Sequence, residues 1–231
     1  MTQKKYLAII PARKGSKGLP NKNILPFLGV PLFLNTYNIL NSSKYEIDIY
    51  VSTDSSEIIS ICKNENINYI KRPDSISNDD ATTEDAITHL LRNVDLLIYE
   101  NIILAQCTSP LLTEIDVNDI LDSFESKINL VDSLFTCYED HFPIWNIQNN
   151  VLRRLNSQEK IRQPRQKSKS FFIENGAFYV FKIKKYLEVK SRFCGITENF
   201  IMSKYSSIDV DDLNDFKIAE LIKMNLKSNS I

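Results

Sequence analysis

Short apolar, β-branched runs alternate with amphipathic helical stretches through the first 137 residues of this 231-residue chain. That alternation narrows the possible folds more than any other feature, because it marks repeated βαβ units around a mainly parallel sheet. Residues 6–10, 47–52, 67–71, 102–105 and 130–135 read as strands, and residues 32–41, 56–64, 84–92 and 115–124 as helices. Asp54 stands three residues before Glu57, and Thr113 three before Asp116. At that spacing a side chain can satisfy the free N–H groups of a first helical turn. Beyond residue 137 the alternation breaks, and residues 153–169 hold seven Lys/Arg against the single acid Glu159. The stretch 138–170 therefore reads as an inserted arm. The pattern resumes with a strand at 177–181 and a last helix near 213–226, which carries Phe216, Ile218, Ala219, Leu221 and Ile222. The expectation is one α/β domain over residues 1–231 with an insertion at 138–170.

Composition removes several function classes. Lys+Arg 28 against Asp+Glu 29 leaves a net charge of -1, which gives no electrostatic reason to expect nucleic acid or a membrane surface as partner. No apolar run approaches the roughly 20 residues of a membrane span. Residues 6–12 follow Lys4 and Lys5 as the core of a secretory leader would, yet they have no small-residue cleavage site and run into Arg13 and Lys14. They read as a buried first strand. Cys62, Cys107, Cys137 and Cys194 are widely spaced, without a C-x-x-C pair and with only two histidines as co-ligands. Free thiols in a reducing cytoplasm, not a zinc site, are the expectation.

Any anion must then be met locally, and one stretch is built for it. Pro11-Ala-Arg-Lys-Gly-Ser-Lys-Gly-Leu-Pro-Asn-Lys-Asn23 follows the first strand with two of the five glycines, four cations (Arg13, Lys14, Lys17, Lys22) and no acid. A glycine-rich turn at the carboxyl end of a parallel strand lets backbone N–H groups approach a phosphate while Lys and Arg neutralise its charge. No Gly-Lys-Ser/Thr closes it, and Gly15-Ser-Lys-Gly18 is too short for a dinucleotide fingerprint. The alternative is a solvated basic loop. A second constellation, Ser207-Ile-Asp-Val-Asp-Asp212, alternates carboxylates at 209 and 211 onto one face, an arrangement that suits Mg2+ beside a phosphate. Here the alternative is that Asp211 or Asp212 caps the last helix. Gln106-Cys-Thr-Ser-Pro-Leu-Leu-Thr113 offers an amide suited to a base or sugar hydroxyl, and residues 72–83 form a loop rich in hydroxyl and amide groups. Each of the four begins where a strand ends, so they should share one rim of an open sheet.

Taken in order, Pro11 to Asn23, Val51-Ser-Thr-Asp54, Gln106-Cys-Thr-Ser-Pro-Leu111, Gln163-Pro-Arg-Gln166, Asn175-Gly-Ala177 and Ile208-Asp-Val-Asp211 resemble the acylneuraminate cytidylyltransferases, or CMP-sialic acid synthetases, from residue 6 to residue 222. The resemblance implies a three-layer, Rossmann-like nucleotidyltransferase fold. The implied reaction joins CTP and a nine-carbon 2-keto sugar acid into a CMP-sugar and pyrophosphate, with Mg2+ required. It places triphosphate contacts on Arg13, Ser16, Lys17, Lys22 and Asn23, and cytidine contacts on Arg72, Ala81, Thr83 and Gln106. Metal carboxylates fall on Asp209 and Asp211, and the sugar pocket on Gln106, Arg165, Asn175, Tyr179 and Phe193. Arg13, Lys17, Lys22 and Asp211 would carry the rate enhancement. By the same resemblance the arm is the segment that crosses to a second subunit and makes a homodimer, and the activity implies a role in lipopolysaccharide or capsule biosynthesis.

Two positions depart from the family pattern. Trp145 stands where sialate-specific members carry a lysine, which favours a less polar acyl-amino or deoxy sugar of legionaminate or pseudaminate type; its other reading is an interface anchor. Cys107 replaces a proline. His89 and His141 are weak candidates for a general base. The alternatives kept open are an enzyme for the eight-carbon acid KDO, a non-catalytic sugar-nucleotide module, and a UTP- or GTP-dependent hexose phosphate enzyme.

Overall fold

A computed structural model describes residues 4–16, 18–155 and 170–228, with side chains described for residues 6–16, 18–155 and 170–226. The first strand, β1 (Lys4–Pro11), explains the layering. Its residues Tyr6 to Ile10 are all fully buried, as expected for a central parallel strand covered on both faces. Tyr6, Ala8 and Ile10 point into one core and Leu7 and Ile9 into the other, so the pleat sends alternate residues to opposite sides of the sheet.

The chain passes from β1 through a short hairpin, β2 (Pro26–Phe27) and β3 (Val30–Pro31), into α1 (Leu32–Asn41). Then come β4 (Ile47–Thr53), α2 (Ser56–Asn64), β5 (Tyr69–Lys71), α3 (Thr83–Leu91), β6 (Tyr99–Ala105) and α4 (Glu114–Ser126). After β7 (Ser133–Asp140) a separate hairpin, β8 (Trp145–Gln148) and β9 (Val151–Arg154), stands apart from the main sheet. The return path is β10 (Phe171–Lys182), α5 (Ile183–Val189), β11 (Thr197–Ile201) and α6 (Leu213–Ser228). Among the described residues the main sheet has the order β11-β7-β10-β6-β1-β4-β5. Only β10 pairs antiparallel, with β6 on one side and β7 on the other.

The larger core packs α1, α2, α4 and α6 on one face; the smaller packs α3 and α5 on the other. The expected three-layer α/β architecture is therefore present. Elements α5, β11 and the two hairpins go beyond the sequence reading. One expected cap is corrected: Ser55, not Asp54, caps α2 by accepting from the Ile58 N–H. Thr113 with Asp116 forms the anticipated capping box, and Thr82 with Asp85 forms another on α3. All four cysteines are buried free thiols. Among the described residues no helix is long and apolar enough to cross a membrane.

Candidate active site

Four loops meet in a cleft of about 480 Å³ beyond the carboxyl ends of β1, β5 and β6. That volume suits a nucleotide-sized ligand. Its walls come from the loop after β1 (Arg13, Gly15, Ser16, Gly18, Lys22, Asn23), the loop before α3 (Arg72, Ala81, Thr82, Thr83), the turn after β6 (Gln106, Thr108) and the segment before α6 (Asp211).

Cross-links between loops hold the cleft open to solvent yet fixed in shape. Asp54 accepts from the Lys14 backbone N–H at 2.7 Å, the task it performs in place of capping. The Arg13 guanidinium donates to the Asn78 carbonyl at 2.8 Å and to Asp79 at 3.1 Å, tying the basic loop to the loop before α3. Asn23 donates to the Arg13 carbonyl at 2.9 Å. Lys22 is 8% exposed, held at the start of a single 3-10 turn after Asn21, whose φ of 55° is left-handed. Its ammonium donates to the Val210 carbonyl at 2.6 Å and to Asp211 at 3.1 Å. Gly18 lies so close that a Cβ would sit 2.3 Å from the Asp211 carbonyl oxygen. The basic and acidic motifs, nearly 190 residues apart in sequence, are thus in direct contact.

Arg72 is 5% exposed, with its Nε donating to Ser52 at 2.7 Å. Its Nη2 is buried without a hydrogen-bond partner among the described residues. Burial lowers the guanidinium to about 10, offset in part by Asp54, so it stays cationic at neutral pH. A buried cationic donor in a cleft wall is a ready partner for a ligand acceptor.

Asp209 and Asp211 flank Val210, which is fully buried and donates its N–H to the Thr108 carbonyl at 2.7 Å. Asp211 lines the cleft with its side chain 78% exposed, whereas Asp209 lies beside the cleft, hydrogen-bonded to Thr108. Crowding by protein atoms raises the Asp209 carboxyl, Thr108 opposes that, and the Asp211 charge adds to it. Helix capping falls to Asp212, which accepts from the Asn214 and Asp215 N–H groups at 2.7 and 3.0 Å. Asp215 accepts in turn from the Asp211 and Asp212 N–H groups. Asp209 and Asp211 are therefore not needed as caps. No group of three or more His, Cys, Asp or Glu side chains fit to hold a metal occurs among the described residues. Two mutually repelling carboxylates next to a nucleotide-sized cleft nevertheless fit Mg2+, which takes hard oxygen donors and commonly completes its shell with water and substrate phosphate.

The residues expected around the sugar are distributed differently. Gln106 lines the cleft, with its backbone N–H donating to Ala177 at 3.1 Å. Tyr179 donates its hydroxyl to Glu174, and its ring meets the Phe193 ring edge-on, with centroids 6.0 Å apart. The Arg192 guanidinium covers the same ring at 4.8 Å and forks onto Glu84 at 2.7 and 2.9 Å. Phe193 is 43% exposed and also rests on Phe135. Asn175 is buried with its amide fully engaged by protein groups. Lys17 and Arg165 lie outside the described residues. Neither His89, in α3, nor His141, just after β7, lines the cleft. Sequence reasoning missed Thr108 as the anchor of the acidic segment and Thr82 as wall and cap. The Thr-x-x-Asp spacing could have revealed the latter; the former depends on a contact distant in sequence.

A family model described as cytidylyltransferase matches residues 7–216. The N-acylneuraminate cytidylyltransferase of Streptococcus agalactiae serotype III is 32% identical over 219 residues, covering 92% of this chain and 52% of that protein. The chain thus spans about half the length of such relatives. The pseudaminic acid cytidylyltransferase of Campylobacter jejuni (strain 81-176) is 29% identical over 97% of this chain and 99% of its own. Among solved structures, CMP:2-keto-3-deoxy-manno-octonic acid synthetase complexed with CTP superposes with a TM-score of 0.70 at 16% identity, covering 96% of this chain and 99% of that one, a likeness of fold.

Proposed function

Because this chain belongs to the cytidylyltransferase family, we propose that it transfers CMP from CTP to the anomeric hydroxyl of a nine-carbon 2-keto sugar acid, releasing pyrophosphate. The observation that carries this reading is the contact of Lys22 with Asp211 at 3.1 Å, which brings the phosphate-binding loop and the carboxylate pair to one cleft. The sugar hydroxyl oxygen forms a bond to the α-phosphorus and gives up its proton to solvent. The bond between the α-phosphorus and the bridging oxygen breaks, and pyrophosphate leaves with that electron pair. Arg13, Ser16, Lys22 and Asn23, together with Lys17 outside the described residues, hold the triphosphate, so that charge developing on the leaving group meets cations. Asp209 and Asp211 would hold Mg2+, which when bound supplies electrostatic stabilisation of phosphate oxygens. Arg72, Ala81 and Thr83 face the cytidine, and Gln106 spans the border between nucleotide and sugar.

On the sugar side we assign Phe193, 43% exposed, and, outside the described residues, Arg165, whose planar fork matches a carboxylate; Tyr179, 3% exposed and covered by Arg192, only packs edge-on against Phe193. The exposed Phe193 ring favours deoxy and acyl-amino groups, and the end-to-end likeness to the pseudaminic acid enzyme supports sugars of that class. We also propose a homodimer built through the β8–β9 arm, which exposes Trp145, Ile147, Val151 and Leu152.

Pyrophosphate release with CTP and Mg2+ against sialate, legionaminate, pseudaminate and KDO tests the reading. Turnover with a nine-carbon acid is expected. Turnover with KDO alone moves the assignment to the eight-carbon class, and no release with any acid leaves a non-catalytic module.

A further inference from the structure

We propose that Asn175 is a positioning residue that locks the segment 202–211, and with it Asp209 and Asp211, against β7 and β10. The proposal rests on the reading of those two carboxylates given above. Asn175 sits at an irregularity of β10: the pairing register with β7 shifts between Glu174 and Tyr179, and Gly176 takes a φ of +73°. Only glycine adopts that backbone readily, and the kink leaves the Asn175 side chain buried at 6% exposure.

The surroundings fix which way the amide faces. The Ala177 N–H donates to Oδ1 at 3.1 Å, and only the oxygen can accept. The Thr136 hydroxyl accepts from the Phe178 N–H at 3.0 Å and directs its proton toward the same Oδ1, at 2.6 Å the nearer of its two acceptors, the Phe178 carbonyl lying at 3.0 Å. On the other side Nδ2 donates to the Ser207 hydroxyl oxygen at 2.9 Å and to the Met202 sulfur at 3.4 Å. Ser207 directs its own proton to the Ser203 carbonyl at 2.9 Å, so its oxygen is left to accept. Two acceptances and two donations fill the capacity of a carboxamide. A direct sugar contact would require breaking one of them.

The link matters because of where it falls. Backbone anchors hold the segment at its ends, with the Met202 N–H on the Cys137 carbonyl at 2.7 Å and the Val210 N–H on the Thr108 carbonyl at 2.7 Å. Between them, the half-exposed Lys204 pairs with the buried Asp140. The Asn175–Ser207 bond is the buried side-chain tie that falls nearest the carboxylates, two residues before Asp209. Buried networks of this kind are stiff when complete and lose that stiffness when one member is removed.

Two variants test it: Asn175→Ala, and Ser207→Ala, which removes the acceptor from a residue with no proposed substrate role. In protein free of nucleotide and metal, amide hydrogen exchange over residues 203–211 should run about fivefold faster or more in both, the factor carried by one net hydrogen bond, while exchange in α4 stays unchanged. In turnover, the Mg2+ concentration for half-maximal rate should rise by about the same factor while the KM for the sugar acid stays within about twofold. Unchanged exchange over 203–211 in Ser207→Ala overturns the proposal, as does an Asn175→Ala effect confined to the sugar KM. Should wild-type protein transfer CMP to no sugar acid, the reading of function fails, and the exchange measurement still decides the positioning role.

Discussion

Gly18 and Asp211 show how closely two loops must approach for the cleft to exist. A Cβ at position 18 would lie 2.3 Å from the Asp211 carbonyl oxygen, so Gly18→Ala must displace one loop or the other. We expect about 2 kcal/mol of destabilisation, a fall in Tm of about 4–8 °C, and weakened CTP binding. Unaltered Tm and CTP affinity would show that the contact relaxes freely. Asp211 itself is different, because its exposed carboxylate contributes little to packing. Asp211→Ala should lower kcat by about 10²-fold or more while leaving Tm nearly unchanged. Activity near wild type would remove the carboxylate from the chemistry. At this scale the sequence named residues that the fold gathers, since Arg13, Ser16, Lys22, Asn23, Arg72, Ala81, Thr83, Gln106 and Asp211 line the cleft, whereas Asp209, Asn175, Tyr179 and Phe193 do not. It misjudged Asp54, because spacing alone does not distinguish a carboxylate that caps its own helix from one that accepts from a loop 40 residues away.

Among the elements, α3 carries a cleft wall at its first turn, and Glu84 in that turn is gripped by Arg192 from beyond α5. Burial pushes the Glu84 carboxyl up, but the Arg192 fork outweighs it and holds the acid below its ordinary value of 4.5. A depressed acid stabilises the fold at pH above that ordinary value, and the contribution disappears as pH falls through the lower native one. Glu84→Gln should therefore lower Tm at pH 7 by about 4–8 °C, for a charged pair worth about 2 kcal/mol, with the gap to wild type closing as pH falls below 4.5. A gap independent of pH would show that the pair does not carry the effect.

Helices α1 and α2 match their expected limits, whereas β7 runs over Ser133–Asp140 against the expected 130–135 and β10 over Phe171–Lys182 against 177–181, because strand pairing extends past the apolar run. Helix α5 has seven residues with Ile183 and Tyr186 as its buried anchors, and the edge strand β11 buries none of its residues fully. Neither produces a periodic signal long enough to read.

For the whole molecule, four loops converge because open parallel sheets gather their strand-to-helix connections on one rim, and that rule made the site foreseeable without any contact being known. The arm follows a different logic. Trp145, Ile147 and Leu152 are 54%, 66% and 61% exposed on a hairpin outside the main sheet, an apolar surface consistent with the proposed dimer. Light scattering should give twice the 26.7 kDa chain mass for the wild type and a monomer for Ile147→Asp. A monomeric wild type would refute the dimer. The sequence disclosed the arm only as a break in periodicity, since a hairpin without a core of its own leaves no buried face to pattern.

Calorimetric titration of CTP, with Mg2+ present, into wild-type protein and Lys22→Met tests most directly whether the basic loop and the acidic segment clasp one nucleotide. Saturable binding to the wild type, weakened about tenfold or more by removal of a cation from the phosphate site, is the predicted result. Equal CTP affinity in the two proteins, or none in either, would contradict it.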